Sequence, residues 1–550
     1  MNARRERACA LALLLGLAAL SVLGLFADGL TNDELIYIAA GYRHLTAGDF
    51  ALNTEQPPLA KLAAAVPLAL LGLREPPRTG DPWEWAFQLI HKTNDPARVI
   101  AAARVPSVLV TLALAALLWR WTRSAYGPRA GLLALALAAF HPSLLAHGHL
   151  ATTDVAAALT MAGASWAYWY WSRGPGLLRA SALAASIGVA LATRLTAFVL
   201  VPAFLLLECA AILGTAREGR GARVRAAVRA AAATLVAVPL VVWAAYGFRF
   251  APFPGETVAH PPASELGAPG RLLSLALEHR LLPEAYLEGA RYVAQHNVAG
   301  HPTYLLGEVS STVGPWYYYL VAFAVKNTPG FLVAVALALA ASWSRRREPA
   351  ALLAHALVPA GLVLLAASAG RIQIGERYIL AVYPYLIVVA GAALARQMET
   401  ARGRAVVAAV LTAHVLPVLV QTPRGYVPYF NALAGGTDGG HRVLADSNLD
   451  WGQDLPRLAA WMRKHHVEEI QLGYHGPDDP DRFGIRHEDL PGLQYYAPHE
   501  PARPFDGAVV LSPNLVLGVF ASPGEDLYAP FRQRPPDDRA GVFFVYHLRR

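Results

Sequence analysis

Charge is gathered rather than spread in this chain, and that pattern limits its folds more than any motif. Long Ala/Leu/Val runs nearly free of charge alternate with short arginine-rich segments up to about residue 425. Such runs need a hydrocarbon solvent or a very large core. Only 16% of the 550 residues are charged and 55% are hydrophobic, whereas a soluble domain carries about 25% charged residues. A disordered chain, a small disulfide scaffold and an ordinary soluble enzyme are thereby excluded, and the sequence reads as an integral membrane protein. Cys9 and Cys209 both lie in apolar runs and read as helix-packing residues rather than a disulfide or metal pair.

The first apolar run, Leu11 to Phe26, follows MNARRER without a convincing small-residue cleavage site, so it reads as an uncleaved helix. Further spans are expected near 98–118, 129–148, 152–171, 177–193, 195–214, 224–246, 315–341, 350–369, 376–395 and 404–421, making eleven in all. With a cytoplasmic N-terminus, the inner segments would hold nineteen arginines, among them Arg4, Arg123, Arg223 and Arg345, against Glu6, Glu218, Glu348 and Glu399. This is the positive-inside pattern, and it explains the basic balance without nucleic acid. The decisive point is 177–214: one long span would reverse everything after it, and the charge bias favours two short ones. Arg194 would then lie near the outer interface, where it can snorkel or meet a phosphate.

That topology gives the outside two long loops, 27–97 and 247–314, and everything after about 422. Residues 441–550 hold 12 basic and 16 acidic residues, a different kind of chain from the rest. A helix is expected over Asp454 to His465, with strands at EEIQLGY, GAVVLS and GVFFVYHL. The expected architecture is a polytopic α-helical membrane protein, with a transmembrane unit over 1–425 and a small extracytoplasmic α/β domain over 426–550.

Candidate chemistry collects at the outer surface. Asp33 and Glu34 follow the first span closely, although Asn32 or Asp33 could simply cap a helix there. Segment 56–73 is apolar and suits an interfacial helix or a short re-entrant span; its Lys61 either snorkels or holds an anionic head group. Asp154 stands at the outer entrance of another span, with His147 and His149 nearby. It reads as a cap, a polar contact or a functional acid. A divalent metal on the histidines would need the loop to fold suitably, and no cofactor is assigned. His296, His301 and Glu308 precede the aromatic run Trp316 to Tyr319, an interfacial belt in the bland reading. Lys326, deep in the next apolar segment, and the group Arg371, Glu376 and Arg377 either contact a phosphate or satisfy partners within the bundle.

These segments resemble the bacterial lipid-carrier-dependent glycosyltransferases of the GT-C superfamily, relatives of protein O-mannosyltransferases and of the aminoarabinose transferases that modify lipid A. The resemblance rests on Asp33–Glu34, PPLAK ending at Lys61, Asp154 after the outer histidines, GHPTYLLGE, GERYILAVYP and NLDWGQDL. It implies a monosaccharide donor on a polyprenyl phosphate, a catalytic acid at Asp33 and a second at Asp154. It also implies carrier-phosphate contacts from Lys61 and Arg377. Glu34 is a further catalytic candidate, and Arg194, Lys326 and His301 are further candidates for substrate or carrier binding. The expected activity is an inverting hexosyl- or pentosyltransfer to a protein, lipid or glycan acceptor at the outer face of the inner membrane. The competing readings are a lipid-linked sugar transporter or flippase and a non-catalytic assembly protein. Charges gathered at one surface, and no paired repeat of broken spans, favour one-sided chemistry over alternating access.

Overall fold

A computed structural model describes residues 2–252, 266–344, 350–492, 504–521 and 526–548. Arg345, Arg346 and Arg347, expected on the inner side, lie outside the described residues. Helices follow the apolar runs: Ala3–Ala27, Pro96–Tyr126, Pro128–Ala139, Asp154–Ser172, Leu177–Thr193, Leu200–Gly214, Arg217–Ala245, Pro329–Ser344, Ala350–Ala369, Tyr383–Gln397 and Ala401–Gln421. The expected fold class is therefore observed. Its count of eleven spans is not reproduced by length and apolarity: among the described residues six helices qualify, or eight if each bent pair is one span. Two of the expected spans, Leu177–Thr193 and the Ala354–Ala369 part of Ala350–Ala369, are apolar but short.

Side-chain contacts show which helix ends share a side. Arg123, at the end of Pro96–Tyr126, donates to Glu6 at the start of the first helix (2.5 Å). Arg223 donates to Glu208 (2.6 Å) and to the Ser172 carbonyl (2.9 Å), joining the ends of two helices to the start of a third. At the opposite side Arg194 pairs with Asp154. The chain therefore reverses at Arg194, and 177–214 is two helical passes rather than one.

Both long loops are folded. The first carries helices Asn32–Ala47, Leu59–Leu71 and Pro82–Phe87. Leu35, Ile36 and Ile38 pack with Leu68, Trp85, Leu89, Ile90 and Ile100 in a core of their own. Asn32–Ala47 crosses the start of Leu59–Leu71 at Gly41, where any Cβ would collide with the Lys61 carbonyl. Val66 and Leu70 on the latter helix are exposed, 52% and 85%, an apolar outer face that suits an interfacial helix. The second loop holds helix Glu284–Ala299 and a hairpin of Thr303–Leu305 with Glu308–Ser310. The aromatic run divides: Trp316 and Tyr317 are exposed, while Tyr318 and Tyr319 are buried and bonded to Asn448 and to the Ile372 carbonyl.

The chain after the last helix first returns to the bundle. Tyr426, Val427, Phe430, Leu444, Leu449 and Trp451 pack into the bundle's main core. A second core, of Leu455, Leu458, Met462, Ile470, Leu472, Val510, Phe543 and Val545, joins helix Leu455–His465 to a five-stranded sheet. The helix and the three strands expected from sequence form close to their expected positions, as Leu455–His465, Ile470–Gly473, Gly507–Leu511 and Phe543–Leu548. The sheet order is His487–Asp489, Ile470–Gly473, Gly507–Leu511, Phe543–Leu548, Asp538–Ala540. The first two pairings are parallel and the last two antiparallel.

Candidate active site

The linker 28–32 sets the geometry. Thr31 caps helix Asn32–Ala47, and its backbone N–H and hydroxyl both donate to Glu34 (3.0 Å each). Neither Asn32 nor Asp33 is the cap, which leaves Asp33 turned out of the helix. The chain before it is held by the C-terminal part of the molecule: Gly29 N–H donates to the Gln453 carbonyl (2.8 Å), Leu30 N–H to Asp478 (2.7 Å) and Asn32 N–H to the Trp451 carbonyl (3.0 Å). Asp28 is clamped between Arg457 (2.8 Å) and His149 (3.0 Å).

Arg377 donates to Asp33 (2.5 Å), and the same nitrogen lies 4.0 Å from Asp154. Asp154 in turn pairs with Arg194. Four candidates far apart in sequence thus form one row, Asp33–Arg377–Asp154–Arg194. Only Asp33 is appreciably open, its side chain 23% exposed against 8% for Arg377 and 1% for Asp154. The Arg377 guanidinium lies 4.3 Å from the Trp451 ring, a cation–π contact that fixes its plane. Two buried atoms in this row make no hydrogen bond, Arg377 Nε and Asp154 Oδ2. An unpaired buried donor costs roughly 1–3 kcal/mol, which a ligand or water accepting from it would relieve.

Residues 84–243 match the dolichyl-phosphate-mannose-protein mannosyltransferase family. The segment holds Arg104, His149, Asp154 and Arg194, and it bears out the resemblance drawn from sequence. It supports a transferase and lends no support to a transporter. No curated protein matches the chain. Among solved structures, ArnT from Cupriavidus metallidurans bound to undecaprenyl phosphate aligns at 17% identity, with 99% of this chain and 98% of that one covered and a TM-score of 0.47. The same ArnT in the apo state aligns at 16% identity, with 97% of each chain covered and a TM-score of 0.48. The Archaeoglobus fulgidus oligosaccharyltransferase in the apo form aligns at 12% identity over 90% of this chain and 61% of that one, with a TM-score of 0.48.

Asp33 and Arg377 open onto a cavity of about 450 Å3, also lined by Trp83, His301, Asp446, Trp451, His475 and Phe520. His301 is at this cavity as a rim residue, its Nδ1 hydrogen-bonded at the Pro302 carbonyl (2.9 Å). Asp446 and His475 were not legible as site residues. Asp446 sits in the left-handed region (φ 55°), its N–H held by Asn514 (2.7 Å). Burial pushes its carboxyl up to about 7, with Arg377 opposing and Asp33 reinforcing the shift. His475 bonds Asn32 (3.2 Å) through one ring nitrogen and Asn514 through the other. Burial pushes its imidazole down to about 4, so it is a neutral spacer.

The remaining candidates lie elsewhere. Glu34 is fully enclosed: Arg104 grips it through two bonds (2.8 and 2.6 Å) and Ala151 N–H donates to it (2.7 Å). Burial raises its carboxyl, but Arg104 and these hydrogen bonds prevail and hold it below the usual range. In this structure it braces helices and does not line the cavity at Asp33. Lys326 is likewise internal, donating to the Val427 (2.7 Å) and Asn448 (2.6 Å) carbonyls, and it does not line the cavity at Asp33. Lys61 is buried and donates to Asn53 through both the backbone carbonyl (2.6 Å) and the side chain (3.0 Å). Tyr37 stands beside it, its ring centre 6.0 Å from the ammonium. Both ring nitrogens of His149 are engaged, at Leu145 and Asp28, so His147 and His149 do not form a metal pair. Among the described residues no group of three or more His, Cys, Asp or Glu side chains is placed to hold a metal.

Proposed function

We propose that the protein transfers a monosaccharide from a polyprenyl-phosphate carrier to an acceptor hydroxyl at the outer face of the membrane, with inversion. The observation that carries this reading is Arg377. It bridges two acids at the floor of an open cavity and keeps a buried N–H without a partner. A guanidinium so placed suits a phosphate oxygen, which accepts from two of its N–H groups at once. Beside Asp154 lies an apolar groove of about 140 Å3 walled by Leu59, Ala63, Val110, Val155 and Leu159, suited to the first isoprene units of a carrier. Lys61 has one ammonium hydrogen beyond its two bonds to Asn53, and it would join the phosphate as the carrier enters.

The acceptor oxygen attacks the anomeric carbon from the side opposite the phosphate. The C–O bond to the carrier breaks, its electron pair leaves on the phosphate oxygen, and the acceptor proton passes to Asp33. Arg377 stabilises the growing phosphate charge and orients Asp33. Asp154, held by Arg194, fixes Arg377 and balances the row. Asp446, facing Arg377 from the C-terminal part, binds hydroxyls of the sugar or acceptor, with Trp83, Trp451 and Phe520 offering faces for the sugar ring.

The test combines polyprenyl-phosphate release with NMR of the product's anomeric configuration, across lipid-linked sugars and protein, lipid and glycan acceptors. Acceptor-dependent release with inverted configuration, lost in Asp33→Asn, is expected. Retention of configuration would overturn the single displacement.

A further inference from the structure

The C-terminal sheet carries another cavity of about 450 Å3, sharing no lining residue with the one at Asp33. Its wall holds His441, Arg442, Arg532, Arg534 and Arg539. Two of these arginines are neutralised locally, Arg532 by Asp526 and Arg534 by Asp537, each at 2.6 Å. The other two are not. Arg539 donates to His441 Nδ1 (3.3 Å) and lies 4.8 Å from the Phe544 ring, and neither it nor Arg442 has a carboxylate partner among the described residues. Asp438 acts on Arg539 electrostatically, but its carboxylate is paired with Arg424 (3.1 Å). Burial, then Arg539 and Arg442, push His441 down to about 4, so the ring adds no charge and accepts from Arg539.

Two uncompensated guanidinium groups in a half-enclosed space repel each other, and an anion between them would remove that cost. Planar forks of N–H donors match phosphate oxygens better than a halide. Location narrows the source. Arg424 ends the last apolar span, and its partner Asp438 is three residues from His441, so a short stretch of chain joins the end of that span to the cavity.

We propose that this cavity is a second, non-catalytic site that binds a phosphate group between Arg442 and Arg539, supplied by the head group of an anionic membrane lipid. Occupancy would hold the sheet against the bilayer and so steady the seam at Asp28–Asn32. The proposal is independent of the sugar-transfer reading.

The experiment is calorimetric titration of the full-length protein in neutral detergent with dihexanoyl phosphatidic acid, dihexanoyl phosphatidylcholine and inorganic phosphate. Saturable binding of phosphatidic acid is expected, weakened at least tenfold by Arg539→Gln and by the exposed Arg442→Gln, and largely kept by Arg539→Lys. Lys92→Ala, at an exposed side chain paired with Asp479 that lines neither cavity, should leave it unchanged. Inorganic phosphate binding as tightly as the lipid would keep the anion site and overturn the lipid source. Binding unchanged in both glutamine variants, lost in Lys92→Ala, or absent from the wild type would overturn the proposal.

Discussion

Asp33 and Glu34 are consecutive acids on one helix, each paired with an arginine, yet their surroundings give them opposite uses. Glu34 has every lone pair occupied by Arg104, Thr31 and Ala151, and no exposed surface. Asp33 has one strong partner, Arg377, an open side toward a cavity, and a neighbour with an unfilled donor. An acid saturated by fixed donors stabilises a fold, because no ligand can compete for it. Reactivity requires the incomplete arrangement. The comparison shows that a pair of adjacent carboxylates in a sequence is divided by which side the capping bonds consume.

The largest effect should come from breaking the saturated pair. Arg104→Ala leaves Glu34 buried and uncompensated and frees the Leu25, Asp28 and Gly29 carbonyls that Arg104 also binds. Removing one partner of a buried pair costs about 3–5 kcal/mol. A lower melting temperature and loss of folded protein in detergent are expected, and a melting curve like the wild type's would contradict the bracing role. Asp33→Asn should do the reverse: a smaller loss of melting temperature, since Asp33 is partly open and Asp154 still faces Arg377, with turnover reduced about 10²- to 10⁴-fold, as for the loss of a general base. Turnover at the wild-type rate would remove Asp33 from the chemistry.

A smaller effect sharpens the same contrast at the C-terminal side of the cavity. Burial pushes both Asp446 and Asp450 up to about 7, whereas unfolded aspartates titrate near pH 4. Between those values the folded state keeps protons that the unfolded state has released. Their contribution is therefore greatest below about pH 4, falls as the pH rises to about 7, and is flat beyond. Asp450→Asn should flatten the fall in melting temperature between pH 5 and pH 8, and an unchanged slope would contradict the assignment. The smallest effect belongs to Lys92→Ala, which removes an exposed pair with Asp479 (2.7 Å) between the first long loop and the C-terminal part. Such pairs are worth about 0–1 kcal/mol, so melting should move little and turnover not at all.

Much of this was legible in sequence because it depends on local pattern. Apolar runs with arginines at alternate ends gave the helices and their sides. The strand run VVL within Gly507–Leu511 and the FFVY run were readable from β-branched and aromatic residues. Arg194, between two short runs, marked a reversal. What was not legible depends on contacts across the chain. Arg377 reaches Asp33 over 344 positions, and no local pattern tells a phosphate contact from an arginine that also aligns two acids. NLDWGQDL was visible as a motif but not as a seam: Asn448 anchors Glu376 N–H (2.9 Å), Trp451 supports Arg377, and Gln453 holds Gly29. Asp446 gave no signal, since a left-handed aspartate in a short loop reads as an ordinary turn. Lys326 shows the converse, a conspicuous charge in an apolar run whose partners are backbone carbonyls 101 and 122 residues away.

The most direct test of the division between the two acids is a side-by-side assay of polyprenyl-phosphate release by wild type, Asp33→Asn and Glu34→Gln, normalised to folded protein. The account predicts that folded Glu34→Gln releases the carrier at close to the wild-type rate, while Asp33→Asn folds fully and releases almost none. Full release by Asp33→Asn, or a folded Glu34→Gln that is inactive, would contradict it.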